Sequence, residues 1–132
     1  MALKKIKVRQ IMSGKIVRVP AQETVGQTAL MMKQHRVGSV LVSDGANPVG
    51  IVTETDIVQK VVAEELDPVL TKVKSIMSYP LLSVEADAGL AEVAETMEHN
   101  GIRHLAVTEN GKVKGIVSMR DLLHPFIESQ ES

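Results

Sequence analysis

The chain has 132 residues, of which 44% are hydrophobic and 23% are charged, a composition typical of one compact globular domain and unlike that of a disordered segment. The formal net charge of −1, with one Tyr, one Phe and no Trp, provides neither a field for polyanions nor rings for stacking unpaired bases, so we expect no nucleic-acid partner. The lack of cysteine excludes disulfides, thiolate metal cages and cysteine nucleophiles.

The N-terminal sequence MALKKIKVRQIM lacks the apolar run of a signal peptide. No stretch of the chain approaches the ~18 consecutive apolar residues that a membrane span needs. The sequence therefore predicts a cytoplasmic protein with no membrane partner.

An internal repeat organises the whole chain. The segment Lys7–Val58 realigns on Lys72–Leu123 without a gap, at a constant offset that also relates Asp56 to Asp121. The heptad GIVTETD at 50–56 returns as GIVSMRD at 115–121 in this register. Such self-similarity indicates two copies of one structural unit.

Each copy begins with a short strand and an amphipathic helix. KIVRV at 15–19, and LLSV at 81–84 in the second copy, are apolar runs suited to a strand. Thr24 and Gln27 form a capping-box pattern at the start of the first helix. The apolar stripe of this helix has the same phase in both copies: Val25, Thr28, Ala29 and Met32, then Leu90, Val93, Ala94 and Met97.

A hairpin and a second helix complete each copy. Hydrophobicity alternates around Asn110-Gly111, a strong signal for a two-residue turn, whereas the first copy has a looser turn through Asp44, Gly45 and Pro48. The second helix is marked by Ile57, Val58, Val61 and Val62 in the first copy and by Leu122, Leu123, Phe126 and Ile127 in the second.

The segment AEELDPVLT at 63–71 connects the copies, and Pro68 is expected to end the preceding helix. The predicted order is therefore β-α-β-β-α, twice. Because one copy of about 60 residues would bury little core by itself, the two copies should pack on each other.

Three motifs occur once in each copy: V-x-x-I-M-S at 8–13 and 73–78, the helix endings QHRVGSVLV and EHNGIRHLAV, and G-I-V-[ST]-x-x-D. In these motifs the chain resembles a pair of CBS domains, named after cystathionine β-synthase, a tandem also called a Bateman module. The resemblance covers nearly the whole chain. It implies an α+β fold in which two β-α-β-β-α repeats pack about a pseudo-twofold axis as one module, with residues 1–66 as repeat 1, 67–71 as linker and 72–132 as repeat 2.

The resemblance also implies ligands. CBS pairs bind adenosine-containing molecules in clefts between the repeats, so AMP, ADP or ATP is expected, with S-adenosylmethionine and NAD as further candidates. No obligatory cofactor is implied.

The [ST]-x-x-D motif has two interpretations on its residues alone. If it opens a helix, Thr53 or Ser118 and the free N–H groups beside it face an anion, and Asp56 or Asp121 can accept hydrogen bonds from the vicinal hydroxyls of a ribose. The same pattern describes a helix cap, in which hydroxyl and carboxylate satisfy N–H groups of the first turn. The two roles can coexist, and the resemblance favours the ligand role.

The copies differ at the start of the middle strand. In sites that resemble those of the AMP-activated kinase regulatory subunit, basic residues there reach the phosphate, and Arg103 and His104 occupy this place in copy two, against Gly38 and Ser39 in copy one. Arginine binds phosphate bidentately, so the site of Ser118 and Asp121 is expected to be the stronger. Further basic residues that could assist phosphates, or else be surface charges, are Lys15, Arg18, Arg36 and Arg120.

The resemblance places each adenine against the other copy. For the Asp121 site the expected neighbours are Ala21, Gln22, Val37 and Gly38, and for the Asp56 site they are Ala86, Asp87 and Ile102. Ile51 and Ile116 of the two heptads complete the predicted ligand-binding set.

Other chemistry has no motif. The four histidines lack H-x-x-x-H spacing and no nucleophile motif occurs, so we expect neither a metal site nor an enzyme. In the first helix, Leu30 and Met31 replace Glu95 and Thr96 of the second copy and lie off the core stripe. Such an apolar patch often marks an interface, and CBS pairs commonly form homodimers through these helices, so a homodimer is expected.

The leading hypothesis is a nucleotide-binding regulatory or energy-sensing module whose ligand alters packing or the engagement of an unknown regulated protein. The alternative is a ligand-free structural or dimerisation module in which both [ST]-x-x-D motifs act only as helix caps.

Overall fold

The computed structural model describes residues 3–131, with side chains described from residue 3 to residue 128. It contains two compact units, one formed by Ile16–Leu81 and the other by Met1–Lys15 together with Leu82–Ser132. We call them the Asp56 unit and the Asp121 unit, after the aspartate that each contains. Both are mixed α and β, as predicted.

The Asp56 unit is a three-stranded sheet in the order β1-β2-β3, with β1 parallel to β2 and β2 antiparallel to β3. Its core consists mainly of valines, among them Val40, Val42 and Val52, which are at most 1% exposed. Its elements are β1 (Arg18–Pro20), α1 (Val25–His35), β2 (Ser39–Asp44), β3 (Asn47–Thr53), α2 (Glu54–Ile57), a π-helix (Val58–Val62) and a 3-10 turn (Val73–Ser75).

The Asp121 unit repeats this sheet as β4-β5-β6 with the same strand directions. Val93, Met97 and Val107 are fully buried at its centre. Its elements are two 3-10 turns (Leu3–Lys5 and Val8–Gln10), β4 (Ser83–Glu85), α3 (Leu90–Asn100), β5 (His104–Glu109), β6 (Lys112–Ser118) and α4 (Met119–Glu131). The predicted β-α-β-β-α order is confirmed in both copies.

The opening segment of each repeat packs in the unit that contains the sheet of the other repeat. In the Asp121 unit, Ser13 and Ile116 exchange two backbone hydrogen bonds, of 2.8 and 2.9 Å. In the Asp56 unit, Ser78 and Ile51 do the same, at 2.8 and 3.1 Å. Sequence repeats and compact units therefore divide the chain differently.

The first hairpin is tighter than the sequence indicates. Asp44 pairs with Asn47, and the turn between them has only two residues, of which Gly45 has φ of +64°. Pro48 lies in β3 instead of in the turn. It pairs with Ser43, next to the register shift between Val42 and Ser43. Proline fits there because an edge strand with a bulge tolerates a residue without an N–H.

The connection between the repeats is an ordered turn. The π-helix ends at Val62 and Glu65 adopts a left-handed conformation with φ of +57°, so Pro68 does not end the helix and that prediction is wrong. The carbonyl of Pro68 instead accepts the N–H of Gly26 at 3.0 Å. The first N–H groups of a helix lack partners within the helix, so the connection satisfies part of the α1 N-terminus.

The second helix of each repeat covers less core than its apolar pattern indicates. Val61 and Leu122 are buried, at 1% and 9% exposure. The remaining apolar residues of the pattern are only partly buried, as Ile57 is, or at least half exposed, as are Val58, Val62, Leu123, Phe126 and Ile127.

The expected apolar patch on α1 is smaller than predicted. Leu30 is 45% exposed, but Met31 is partly buried and packs against the core of the Asp56 unit. Met31 therefore belongs to the core contacts of α1, and the prediction that it lies off them is wrong.

Candidate functional site

The Asp121 cluster consists of Arg103, His104, Ser118 and Asp121. His104 and Ser118 face each other as partners across β5 and β6, and the carbonyl of Arg103 accepts the N–H of Met119 at 2.8 Å. The Ser118 N–H donates to Asp121 Oδ2 at 2.8 Å, while Asp121 N–H donates to Ser118 Oγ at 3.1 Å. The hairpin thus brings together the four residues that the sequence singled out.

The Asp56 cluster consists of the equivalent residues Gly38, Ser39, Thr53 and Asp56. Ser39 faces Thr53 across β2 and β3, and the Glu54 N–H donates to the Gly38 carbonyl at 3.1 Å. Thr53 donates to Asp56 Oδ2 from its N–H at 2.9 Å and from its hydroxyl at 3.2 Å. The Asp56 N–H donates back to Thr53 Oγ1 at 3.3 Å. The backbone frame of the two clusters is the same.

Both [ST]-x-x-D motifs form capping boxes. In each box, the N–H of the hydroxyl residue donates to the aspartate carboxylate, and the N–H of the aspartate donates back to the hydroxyl. The N–H of the residue after the hydroxyl donates to the carbonyl just before the middle strand. Each [ST]-x-x-D motif has four backbone N–H groups, and three of the four are hydrogen-bonded within the protein. For these three, the expectation of free N–H groups that face an anion beside Thr53 and Ser118 is wrong. The physical reason is that side chains of the motif accept two of these N–H groups, and the carbonyl just before the middle strand, of Gly38 or Arg103, accepts the third.

The two carboxylates differ in their remaining contacts. Asp56 Oδ1 forms an ion pair with Lys60 Nζ at 3.0 Å, and Lys60 Nζ also donates to the Ile76 carbonyl at 2.9 Å. Within the described part of the chain, Asp121 Oδ1 accepts no hydrogen bond, and the residue equivalent to Lys60 is Pro125. Sequence reasoning missed Lys60, although its i,i+4 spacing from Asp56 was a signal for this pair.

The basic side chains are also distributed unevenly. Arg103 and Arg120 are exposed and His104 is partly buried, all at the start of β5 or α4. Gly38 and Ser39 contribute no charge at the equivalent strand. The Asp121 cluster consequently combines an accessible carboxylate oxygen with cationic side chains.

The other predicted ligand-binding residues fall into two groups, one in each unit. Ile116 lies in β6 of the Asp121 unit and Ile51 in β3 of the Asp56 unit. Ala86, Asp87 and Ile102 belong to the Asp121 unit, and Ala21, Gln22, Val37 and Gly38 belong to the Asp56 unit. The predicted pairing of each aspartate with adenine neighbours from the other repeat stays a prediction.

The weaker basic candidates are all surface residues. Lys15 is exposed in the opening segment, where its N–H donates to Ser13 Oγ at 3.2 Å. Arg18 is exposed on β1, and Arg36 caps the C-terminus of α1 in a left-handed conformation. Of these, Lys15 lies on the segment that pairs with Ile116, two residues before Ser118.

Two negative findings apply to the described residues, 3–131. Their His, Asp and Glu side chains form no group of three or more that could hold a metal ion. None of their helices is long and apolar enough to cross a membrane.

Comparison with known proteins gives matches over both repeats. The family model described as CBS domain matches residues 8–63 and 73–128. Uncharacterized protein MK0525 of Methanopyrus kandleri is 35% identical over 123 residues, covering 92% of this chain. The chain spans 63% of the length of that relative.

Solved structures with the same architecture include a putative signal-transduction protein with CBS domains from Burkholderia ambifaria, with 32% identity and a TM-score of 0.89. That match covers 95% of this chain and 96% of the other. CBS domain protein PAE2072 from Pyrobaculum aerophilum, solved in complex with AMP, has 27% identity and a TM-score of 0.81, covering 96% and 100% of the two chains. A hexameric CBS-CP12 protein from bloom-forming cyanobacteria has 32% identity and a TM-score of 0.87, covering 93% and 70%.

Proposed function

Because the chain belongs to the CBS-domain family and carries two CBS domains in tandem, we propose that it is a regulatory module that binds an adenosine nucleotide through the Asp121 cluster. The observation that carries the proposal is the open oxygen of Asp121 beside the cationic start of β5 and α4.

Ribose recognition would use Asp121. Its Oδ2 already accepts the Ser118 N–H at 2.8 Å, so the carboxylate is held by the cap in one orientation. Oδ1 keeps its acceptor positions, and a carboxylate oxygen accepts hydroxyl hydrogen bonds strongly because it is charged. The cap therefore supports the ligand role by fixing the carboxylate in advance.

Phosphate recognition would use the side chains of Arg103 and His104, with Arg120 as a further cation. Since three N–H groups of the helix start are already bonded, side chains rather than the backbone would supply most of the donors. Guanidinium groups suit this role because they bind phosphate bidentately.

AMP, ADP or ATP is the proposed ligand, and the AMP complex of the Pyrobaculum protein supports this class. S-adenosylmethionine and NAD carry the same adenosine half and are the comparison ligands. Binding would regulate a partner protein by favouring one of two states of the module. The size of that shift is set by the difference between the ligand's affinities for the two states.

Calorimetric titration of the purified chain with these five ligands tests the proposal. We expect a nucleotide to bind wild type and Asp121→Asn to weaken it at least about tenfold, because asparagine keeps an acceptor for the Ser118 N–H but loses the charge that strengthens hydroxyl hydrogen bonds. Asp56→Asn is the matched control from the other repeat. Failure of all five ligands to bind at millimolar concentration would contradict the proposal.

The capping boxes support a second candidate, a structural module that binds no ligand. It predicts that Asp121→Ala lowers stability, by about 1 kcal/mol for a lost cap, with no effect of nucleotide on wild type. We expect instead that AMP at about 100 times its Kd stabilises wild type by about 2.7 kcal/mol. Thermal unfolding with and without AMP, repeated on Asp121→Asn, separates the two candidates.

A further inference from the structure

The two heptad carboxylates are equivalent in sequence but have different hydrogen-bond donors. Asp56 Oδ2 accepts both the N–H and the hydroxyl of Thr53, and Oδ1 accepts the ammonium of Lys60. Asp121 Oδ2 accepts the Ser118 N–H, whereas Oδ1 has no donor among the described residues. One carboxylate is nearly saturated and the other is not.

Lys60 is held at two points inside the Asp56 unit. Its Nζ lies 3.0 Å from Asp56 Oδ1 and 2.9 Å from the Ile76 carbonyl oxygen. Ile76 is 3% exposed, so this acceptor is fixed in the core of the unit. An ammonium held by a carboxylate and a carbonyl together keeps its position better than one in a simple surface ion pair.

A ribose would need acceptor positions of the Asp56 carboxylate, one of which Lys60 occupies. A carboxylate has about four acceptor positions, and the diol of a ribose occupies two of them. The three recorded donors leave about one position on Asp56, which is also only 8% exposed. Asp56 can accept both hydroxyls only if one of these donors leaves, and the Lys60 ammonium is the one that occupies Oδ1.

The second repeat lacks this arrangement. The residue equivalent to Lys60 is Pro125, which has no side-chain donor and lies within the uninterrupted helix α4. In the first repeat the helix widens into a π-helix over Val58–Val62, and Lys60 is at its centre. Such π segments are frequent at functional sites.

We propose that Lys60 closes the Asp56 cluster to the ribose of an adenosine ligand, so that the chain binds one nucleotide, at the Asp121 cluster. This inference rests on the proposed function and assigns Lys60 as the residue that decides how many ligands bind. The ammonium is an internal competitor for the carboxylate.

Calorimetry with AMP on the full chain tests the closure. Wild type should bind one equivalent of AMP, and Lys60→Met should bind a second equivalent at the Asp56 cluster. We expect the Asp56 cluster of Lys60→Met to bind AMP at least about tenfold more tightly than the same cluster in wild type. Methionine retains the unbranched apolar stem while removing the ammonium. Lys33→Met, which removes the same charge from an exposed position on α1, should behave as wild type.

A double variant assigns the second event. In an Asp121→Asn background, Lys60→Met should still bind AMP, whereas Asp121→Asn alone should bind it poorly. Binding of two equivalents by wild type, or one equivalent by Lys60→Met, would overturn the closure while leaving the proposed function intact. Absence of AMP binding from every protein would overturn the closure, and the proposed function would be overturned with it only if the other four ligands also failed to bind.

A measurement without nucleotide tests whether Asp56 and Ile76 hold Lys60. Limited acetylation followed by peptide mass spectrometry should label Lys60 more slowly than Lys33 in wild type, because the two acceptors hold the Lys60 nitrogen against the protein, where the reagent reaches it less readily. Asp56→Asn should raise the labelling of Lys60 at least about threefold, since it removes the charged acceptor. Equal labelling of both lysines in wild type would contradict the claim that Asp56 and Ile76 hold Lys60.

Discussion

At the scale of single residues, two glycines determine how the opening segments fit. A Cβ at Gly50 would lie 2.7 Å from Met77 Sδ and 2.8 Å from the Ser78 carbonyl oxygen. At Gly115 it would lie 2.6 Å from Met12 Sδ and 2.8 Å from the Ser13 carbonyl oxygen. The glycine of each heptad is therefore required by a close backbone contact.

Substitution of this glycine should destabilise the Asp121 unit. We expect Gly115→Ala to lower the free energy of unfolding by about 1–3 kcal/mol, because the methyl group overlaps a backbone oxygen that cannot move without breaking the pairing of Ser13 with Ile116. Denaturant unfolding measures this. Gly14→Ala, whose Cβ would meet nothing within 4 Å, should change stability much less. Equal effects of both variants would contradict the packing argument.

At the scale of elements, the first helices of the repeats start differently. Thr24 caps α1 with a 3.1 Å hydrogen bond from the Gln27 N–H, while the Thr24 N–H donates to Glu23 and not to Gln27. The predicted capping box is thus half formed. Helix α3 has Gly89 at the same position and no side-chain cap.

Loss of the α1 cap should be measurable. Thr24→Ala should cost about 1 kcal/mol of stability, since the Gln27 N–H loses its acceptor. Thr96→Ala in α3 is the control, because its hydroxyl bonds only to the Glu92 carbonyl one turn earlier. Chemical denaturation of both variants should show a loss for Thr24→Ala alone, and similar losses for both would argue against the cap.

At the scale of the whole molecule, exposed apolar side chains bear on self-association. Leu30 on α1 is 45% exposed, and Val62 and Ile127 on the second helices are 66% and 54% exposed. Exposed apolar side chains of this kind often mark an interface. The homodimer through α1 stays a prediction, and the second helices of the repeats offer another surface for a dimer.

Light scattering after size exclusion distinguishes these surfaces. We expect wild type to be a dimer and Leu30→Glu to be a monomer, since a buried unpaired carboxylate disfavours association. Gln34→Glu adds the same charge to an exposed polar position of α1 and should remain dimeric. A dimer that persists in Leu30→Glu but dissociates in Ile127→Glu would place the interface on the second helices.

The sequence alone determined the repeat, the order of the elements and the residues of the Asp56 and Asp121 clusters. These features depend on local periodicity and on turn chemistry, as at Asn110-Gly111, where both residues have positive φ and form the predicted two-residue turn.

Only the tertiary structure decided which segments pack together and which carboxylate keeps an oxygen that has no donor among the described residues. The exchange of the opening segments depends on the path of the chain over many residues, and no local pattern encodes it. Lys60 pairs with Asp56 at the local i,i+4 spacing, but the Ile76 carbonyl that also holds Lys60 lies 16 positions away in the chain. Asp121 Oδ1, in contrast, has no donor among the described residues. Hydrogen-bond saturation depends on every neighbour in space, and sequence spacing records only those nearby in the chain.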